Sequence, residues 1–338
     1  MSVAEAAPHP QLAEAGRPRV RIPKTLWIGL AIMLACKSLL FYDVSRTDRG
    51  ALHTNEDLVR ALSARPTDAF ARIARYFAVN MTPFVWVGYL VFLEGVLTMQ
   101  RGRSPIRSPI RSRPHHFVLL ALASVTIWCV FDLINFYSID AWRYLGMPVH
   151  FWDRFWGYLL AFATIVPGML MSGQVFLNLG WFERARSPRW RMPRWVAVMS
   201  LVIGAAMAVW PLLHPDPITN LTLWCGLVFM VDPINLWLGR PSMFRDWQNG
   251  WYGRTLAAFA GGLLCGLLWE FWNYWALAKW TYNLPFLGSL EHVRYFEMPV
   301  LGLLGFVPFG IECWIMWQFM RISLDGLAEP LPSERDLI

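Results

Sequence analysis

Residues 255–282 read TLAAFAGGLLCGLLWEFWNYWALAKWTY. The run is apolar for long enough to cross a hydrocarbon core of about 30 Å. It nevertheless carries one carboxylate, Glu270, in its interior. A charge at that depth costs about 2.5–3.5 kcal/mol on insertion scales, and such residues face a bundle interior or a cavity rather than lipid. The stretch therefore predicts one helix among several that together enclose Glu270. The chain as a whole agrees: its 338 residues are 56% hydrophobic and only 16% charged, with a mean hydropathy of +0.37. A soluble domain carries nearer a quarter charged residues. Backbone polar groups in lipid must be satisfied within their own segment, so the spans are helices. The expected fold is an all-α polytopic membrane bundle with eight spans, at 25–42, 79–98, 117–139, 156–178, 195–213, 221–239, 255–279 and 297–320. Residues 1–24, polar and Pro-rich, and 321–338 are expected to be cytoplasmic tails.

Charge sets the orientation. Placing the N-terminus inside gives the inner segments 19 Lys/Arg and the outer segments 9. Six of those nine lie in the long segment 43–78, where the positive-inside rule is weak. Both termini are expected in the cytoplasm, of a bacterial inner membrane. The net charge of +7 resides between apolar runs, which argues against a nucleic-acid partner. Segment 43–78 mixes both signs of charge. It predicts short amphipathic helices at the outer surface, either an ordinary connection or a lid over a site in the bundle.

Glu270 is followed three residues later by Asn273, and the same spacing occurs in Asp132–Asn135 and Asp232–Asn235. Residues three apart share a helix face, so each carboxamide is expected to orient its carboxyl. Two of these pairs belong to a repeat. FDLINFYSIDAWRY (131–144) matches WEFWNYWALAKWTY (269–282) at an offset of 138 in its aromatics, acid, Asn, Trp142/Trp280 and Tyr144/Tyr282. Arg154 and Arg294 follow each copy, then a span with a mid-helix proline, Pro167 or Pro308. The repeat units, about 117–182 and 255–320, enter the membrane in the same direction, so the repeat is parallel. Glu270, nine residues before the expected end of its span, would lie about 13 Å deep. With Asp132 and Glu297 it would form an acidic cluster in the outer half of the bilayer. Two carboxyls at one depth need partners or a proton, whereas a lone membrane acid such as Asp232 or Glu94 can simply tie helices together.

Twenty tryptophans are present. Most flank spans as an interfacial belt, but Trp269, Trp272 and Trp275 sit beside Glu270. Aromatic faces stabilise cations, and an acid donor with an aromatic lining suits protonation of an alkene; aromatic packing around a structural acid is the plainer alternative. Arg154 and Arg294, at equivalent outer positions, would neutralise the acids or bind an anionic head group. No HExxH, histidine cluster, phosphate loop or nucleophile motif is present, so neither a metal nor a cofactor is expected. The five cysteines lie in apolar runs with no metal spacing.

The combination Trp269-Glu270, Lys279-Trp280-Thr281-Tyr282, Leu287-Gly288 and Phe296-Glu297-Met298-Pro299 resembles the lycopene cyclase domain of carotenoid pathways. Its Trp-Glu-Phe start is similar to that of integral-membrane terpene cyclases. Lys279 stands where that family has glycine, and Pro299 follows the glutamate rather than preceding it. The resemblance implies acid-catalysed cyclisation or isomerisation of an isoprenoid or carotenoid-like membrane lipid. Glu270 would then be the proton donor, Asn273 its orienter, Glu297 the partner acid, and Asp132 with Asn135 a second polar wall. Trp269, Trp272, Trp280, Tyr282, Arg294 and Arg154 would contact substrate. Parallel repeats with intramembrane acids also fit an ion-coupled transporter or channel. A third class is a structural subunit, in a homo-oligomer or a larger membrane complex.

Overall fold

The computed structural model describes residues 22–47, 54–64, 66–100, 110, 113–215, 220–327 and 335–338. In chain order the helices are α1 (Lys24–Arg46), α2 (Asn55–Ser63), α3 (Ala69–Val79), α4 (Met81–Met99), α5 (Pro114–Ile134), α6 (Phe151–Asn178), α7 (Arg194–Leu213), α8 (Asn220–Trp237), α9 (Met243–Gln248), α10 (Gly253–Asn273) and α11 (Phe306–Met320). Strands β1 (Trp142–Leu145) and β2 (Lys279–Tyr282) pair in a short ribbon, and β3 (Arg294–Tyr295) pairs with β4 (Met298–Pro299). Seven of the segments at the expected spans are long and apolar enough to cross a membrane, and α8 contributes a shorter apolar stretch. The chain is an integral membrane protein of the all-α polytopic class.

Two span boundaries differ clearly from expectation. Helix α10 ends at Asn273 rather than continuing to 279, because Asn273 captures the backbone that follows and the β-favouring segment KWTY pairs with WRYL. Helix α11 begins at Phe306, after β4 and a 3-10 turn over Val300–Gly305. Pro308 therefore lies in a first turn, where a missing N–H costs nothing, while Pro167 does sit inside α6. Glu270 consequently lies one turn from its helix end rather than deep in the span. The segment expected as a C-terminal tail also differs. Leu337 and Ile338 are fully buried, Leu337 N donates to Gln174 Oε1 at 2.7 Å, and Arg254 Nε donates to the Arg335 carbonyl at 3.2 Å. Residues 1–21 of the expected N-terminal tail lie outside the described residues.

The repeat is larger than its sequence trace. Helix α1 packs on α4, α4 on α6 and α5 on α6; likewise α7 packs on α8, α8 on α11 and α10 on α11. The two four-helix units share this packing order and meet at the antiparallel β1–β2 ribbon. Its register pairs Trp142 with Tyr282, Arg143 with Thr281 and Tyr144 with Trp280, so Arg143 faces its own repeat equivalent, and Trp142 and Tyr144 each face the equivalent of the other. The offset of 138 extends to α4 and α8: Trp86 matches Trp224, Gly88 matches Gly226 and Glu94 matches Asp232. Trp86 packs against Trp269 at 5.7 Å between ring centroids, and Trp224 stacks on Phe131, the equivalent of Trp269, at 5.2 Å. Asp232 accepts from Ser242 Oγ and the Met243 and Phe244 amides, and Glu94 accepts from the Ile110 amide. Both acids anchor the segment leaving their helix, which is a structural role.

Glycines let the outermost helices approach. A Cβ at Gly29 would fall 2.2 Å from Phe92 N and 2.6 Å from Gly88 O; at Gly204 it would fall 2.3 Å from Met230 N and 2.7 Å from Gly226 O. These are backbone atoms and cannot rotate away. Gly29→Leu and Gly204→Leu are each expected to cost about 3 kcal/mol or more, beyond the usual overpacking range of 1–3. Matched falls in the unfolding midpoint of the detergent-solubilised protein would check this, and a neutral result at either position would refute the close packing there.

Between 43 and 78 the described residues form the end of α1, then α2 and α3, the short helices expected there. Thr54 caps α2 in a reciprocal capping box with Asp57, and Asp68 caps α3. Arg75 joins all three helices. Its guanidinium bonds Asp43 at 2.7 Å, the Ala61 carbonyl at 2.5 Å and Thr47 Oγ1 at 2.9 Å. Arg75→Ala removes these bonds beside the buried Asp43 carboxylate, and breaking such a pair costs about 3–5 kcal/mol. The variant is expected to make α2 and α3 sensitive to limited proteolysis while the remaining helices stay protected.

Candidate active site

A cavity of about 370 Å³ lies between the two units, bounded by α4, α5, α6, α8, α10, α11 and the ribbon. That volume falls within the range of small-molecule sites. Its wall is aromatic: Trp86, Trp128, Trp142, Trp224, Trp269 and Trp280, with Tyr144, Tyr158 and Tyr282. Successive side chains of a strand point to opposite faces, so Trp142, Tyr144, Trp280 and Tyr282 share the ribbon face turned to the bundle. Arg143 on the other face is exposed.

The ribbon is held in place by the two asparagines. Asn135 Oδ1 accepts from the Ala141 and Trp142 amides and its Nδ2 donates to the Trp142 carbonyl. Asn273 Oδ1 accepts from the Trp280 amide and its Nδ2 donates to the Trp280 carbonyl at 2.7 Å. Neither carboxamide bonds the acid three residues before it. The expectation that Asn273 and Asn135 orient Glu270 and Asp132 is corrected: the shared helix face is real, but unpaired backbone groups of the following turn are nearer and must be satisfied.

A tyrosine meets each acid instead. Tyr282 Oη donates to Glu270 Oε1 at 2.6 Å and accepts from Trp280 Nε1 at 2.7 Å. Tyr144 Oη donates to both oxygens of Asp132, at 2.9 and 3.2 Å, and accepts from Trp128 Nε1 at 3.3 Å. Trp142 Nε1 adds a bond to Asp132 Oδ1 at 3.1 Å. Glu270 is fully buried, and its Oε2 has no hydrogen-bond partner. The phenols line the cavity; the carboxyls stand behind them. Burial, then the adjacent carboxylate, pushes both phenols well above the ordinary tyrosine range, so each keeps its proton.

The other expected residues divide. Trp269, Trp280, Tyr282 and Arg154 line the cavity. Arg154 also bonds the Pro148 and Val149 carbonyls. Trp272 does not line it, and packs edge-on against Trp86 and Tyr89. Arg294 lies outside it, bonded to Glu291 and to the Glu297 carbonyl. Glu297 is near enough to Glu270 to interact electrostatically, but its carboxylate pairs with Lys279 Nζ at 2.5 Å. The three-acid cluster resolves into two carboxyl–phenol pairs and a separate ion pair, because Lys279 claims Glu297. Among the described residues no group of His, Cys, Asp and Glu has the arrangement of a metal site.

Sequence reasoning missed Tyr144, Trp128, Trp86 and Trp224. Tyr144 was visible as the repeat partner of Tyr282, and Trp86 and Trp224 share the 138-residue offset. Trp128 has no counterpart in the second copy, where Gly266 stands, so no repeat signal could have found it.

Comparison with known family profiles, with curated proteins and with solved structures yielded no match to this chain.

Proposed function

We propose that the protein is a membrane-embedded enzyme that protonates a carbon–carbon double bond of an isoprenoid-like lipid bound in the aromatic cavity. The observation that carries this reading is Glu270: a fully buried carboxyl, 2.6 Å from a phenol that lines an apolar cavity. Such an acid has no structural bond that a neutral amide could not make. Through Tyr282 it has a route for its proton to the cavity. Protonation forms a C–H bond from the π electrons and leaves a cation on the adjacent carbon. The rings of Trp269, Trp280 and Trp142 stand where such a cation would be stabilised, worth about 2 kcal/mol or more per well-placed ring in a desolvated site. Cyclisation or isomerisation then ends by loss of a proton, and requires no redox partner.

The distribution of basic residues supports placing the ribbon end of the bundle outside, with the N-terminus cytoplasmic. Membranes containing the chain are expected to convert an added isoprenoid polyene, with squalene and lycopene as the first probes, to a product of unchanged mass that membranes without the chain do not make. Proton flux into proteoliposomes without any conversion would replace this reading by transport.

A further inference from the structure

The reading above uses one acid, yet the cavity has two carboxyl–phenol pairs, and they are not equivalent. Resting on that reading, we propose that they divide the proton work. Glu270 and Tyr282 deliver the proton, Asp132 and Tyr144 remove one from a different carbon of the same ligand, and in both cases the phenol is the group that touches it.

The hydrogen bonds carry the division. Asp132 has both oxygens engaged, by the Tyr144 hydroxyl and by Trp142 Nε1, which is the environment of an ionised carboxylate. Glu270 receives the Tyr282 hydroxyl on Oε1, with Trp280 and the Met298 amide close by, while its Oε2 makes no hydrogen bond in a fully buried site. An ionised oxygen left so is costly, whereas a carboxylic acid there can turn its hydrogen to Tyr282. The 2.6 Å contact then runs in reverse: Glu270 donates to the phenol oxygen, which still accepts from Trp280 Nε1, and the phenol hydrogen is free to point into the cavity.

The step balances. Tyr282 gives its proton to one alkene carbon as Glu270 refills the phenol, and the π bond becomes a C–H bond and a cation. A second double bond attacks the cation, closing a C–C bond and moving the charge along the chain. Tyr144 passes its proton to Asp132 as it takes one from a carbon beside the new cation, and the C–H pair becomes a double bond. Water entering as product leaves returns the proton from Asp132 to Glu270. Tyr144 and Tyr282 are diagonal neighbours across the ribbon, about 7–8 Å apart at the backbone. The two events thus fall on carbons several bonds apart, which selects a polyene with at least two double bonds over an isolated alkene.

The test needs no substrate. Infrared difference spectra of the full chain in lipid nanodiscs, in H2O and D2O, are taken in an E312Q background, because Glu312 is the other fully buried carboxyl whose oxygens lack hydrogen bonds. They should contain the C=O stretch of one further buried carboxylic acid. That band is expected to vanish in E270Q, to move to higher frequency in Y282F, which removes its hydrogen-bond partner, and to persist unshifted in D132N and Y144F. A band lost in D132N but kept in E270Q, or the absence of any such band, would overturn the division. This outcome is separable from the function itself. An inactive E270Q with the band assigned to Asp132 sinks only the division, and a fully active E270Q with the band on Glu270 sinks only the enzyme reading.

Discussion

Glu270→Gln is expected to insert and fold like the parent chain and to lose at least about 10²-fold in product formation, the lower bound of what a positioned general acid contributes. The glutamine oxygen can still accept from Tyr282 Oη, so the ribbon and the cavity wall stay in place. Its amide nitrogen replaces an oxygen that already lacked a partner, which limits the change in stability to about 1–3 kcal/mol. Only the transferable proton is gone. Glu312→Gln is the control. Glu312 is also fully buried, with both carboxylate oxygens free of hydrogen bonds, but it does not line the cavity or meet a phenol. Conversion should survive that change. Equal loss in both variants would show that a buried acid as such, rather than the carboxyl–phenol pair, is required. Full conversion by the Glu270→Gln chain would end the acid-catalysis reading.

The second large effect is structural. Asn135→Ala leaves two amides and one carbonyl of the ribbon turn without their partner, and Asn273→Ala leaves one of each. Each buried backbone group so exposed costs about 1–3 kcal/mol. Asn135→Ala is therefore expected to cost about 3 kcal/mol or more, and Asn273→Ala roughly two thirds of that. Both should depress the thermal midpoint and conversion together, because Trp142, Tyr144, Trp280 and Tyr282 all hang from the ribbon. A role in orienting the acids would give a different pattern, with conversion lost and the midpoint unchanged. Gly146 makes an independent check on the same ribbon. It has φ +65°, and a Cβ there would stand 2.2 Å from the Leu277 carbonyl oxygen, so Gly146→Ala should weaken the β1–β2 end as well.

Much of the fold was legible because bilayers impose a simple grammar. An apolar run of the right length must be a helix, and the long helices between Lys24 and Met320 lie where the hydropathy places them, except at the end of α10 and the start of α11. The repeat was legible where its copies retain costly residues: Asp132 and Glu270, Asn135 and Asn273, Trp142 and Trp280, Tyr144 and Tyr282. It was invisible in α1 and α7, whose matching residues, Gly29 and Gly204, are separated by a different offset because α2 and α3 are inserted after α1. In the site, Glu270 and the aromatics around it stood out as polar or bulky residues in a greasy run. The roles given to Asn273 and Glu297 failed for one reason: helix-face geometry says which side chains can meet, not which backbone amide or lysine will reach them first.

Taken alone, the sequence determined membrane embedding, helical class and the presence of acids that must face inward. Composition, run length and the cost of charge in hydrocarbon decide those without reference to any long-range contact. Only the tertiary structure decided what each acid meets. The partners of Glu270 and Asp132 come from a ribbon formed by segments 138 residues apart, and hydrogen bonding at 2.6–3.2 Å depends on how two helical units close on each other, which no local pattern encodes.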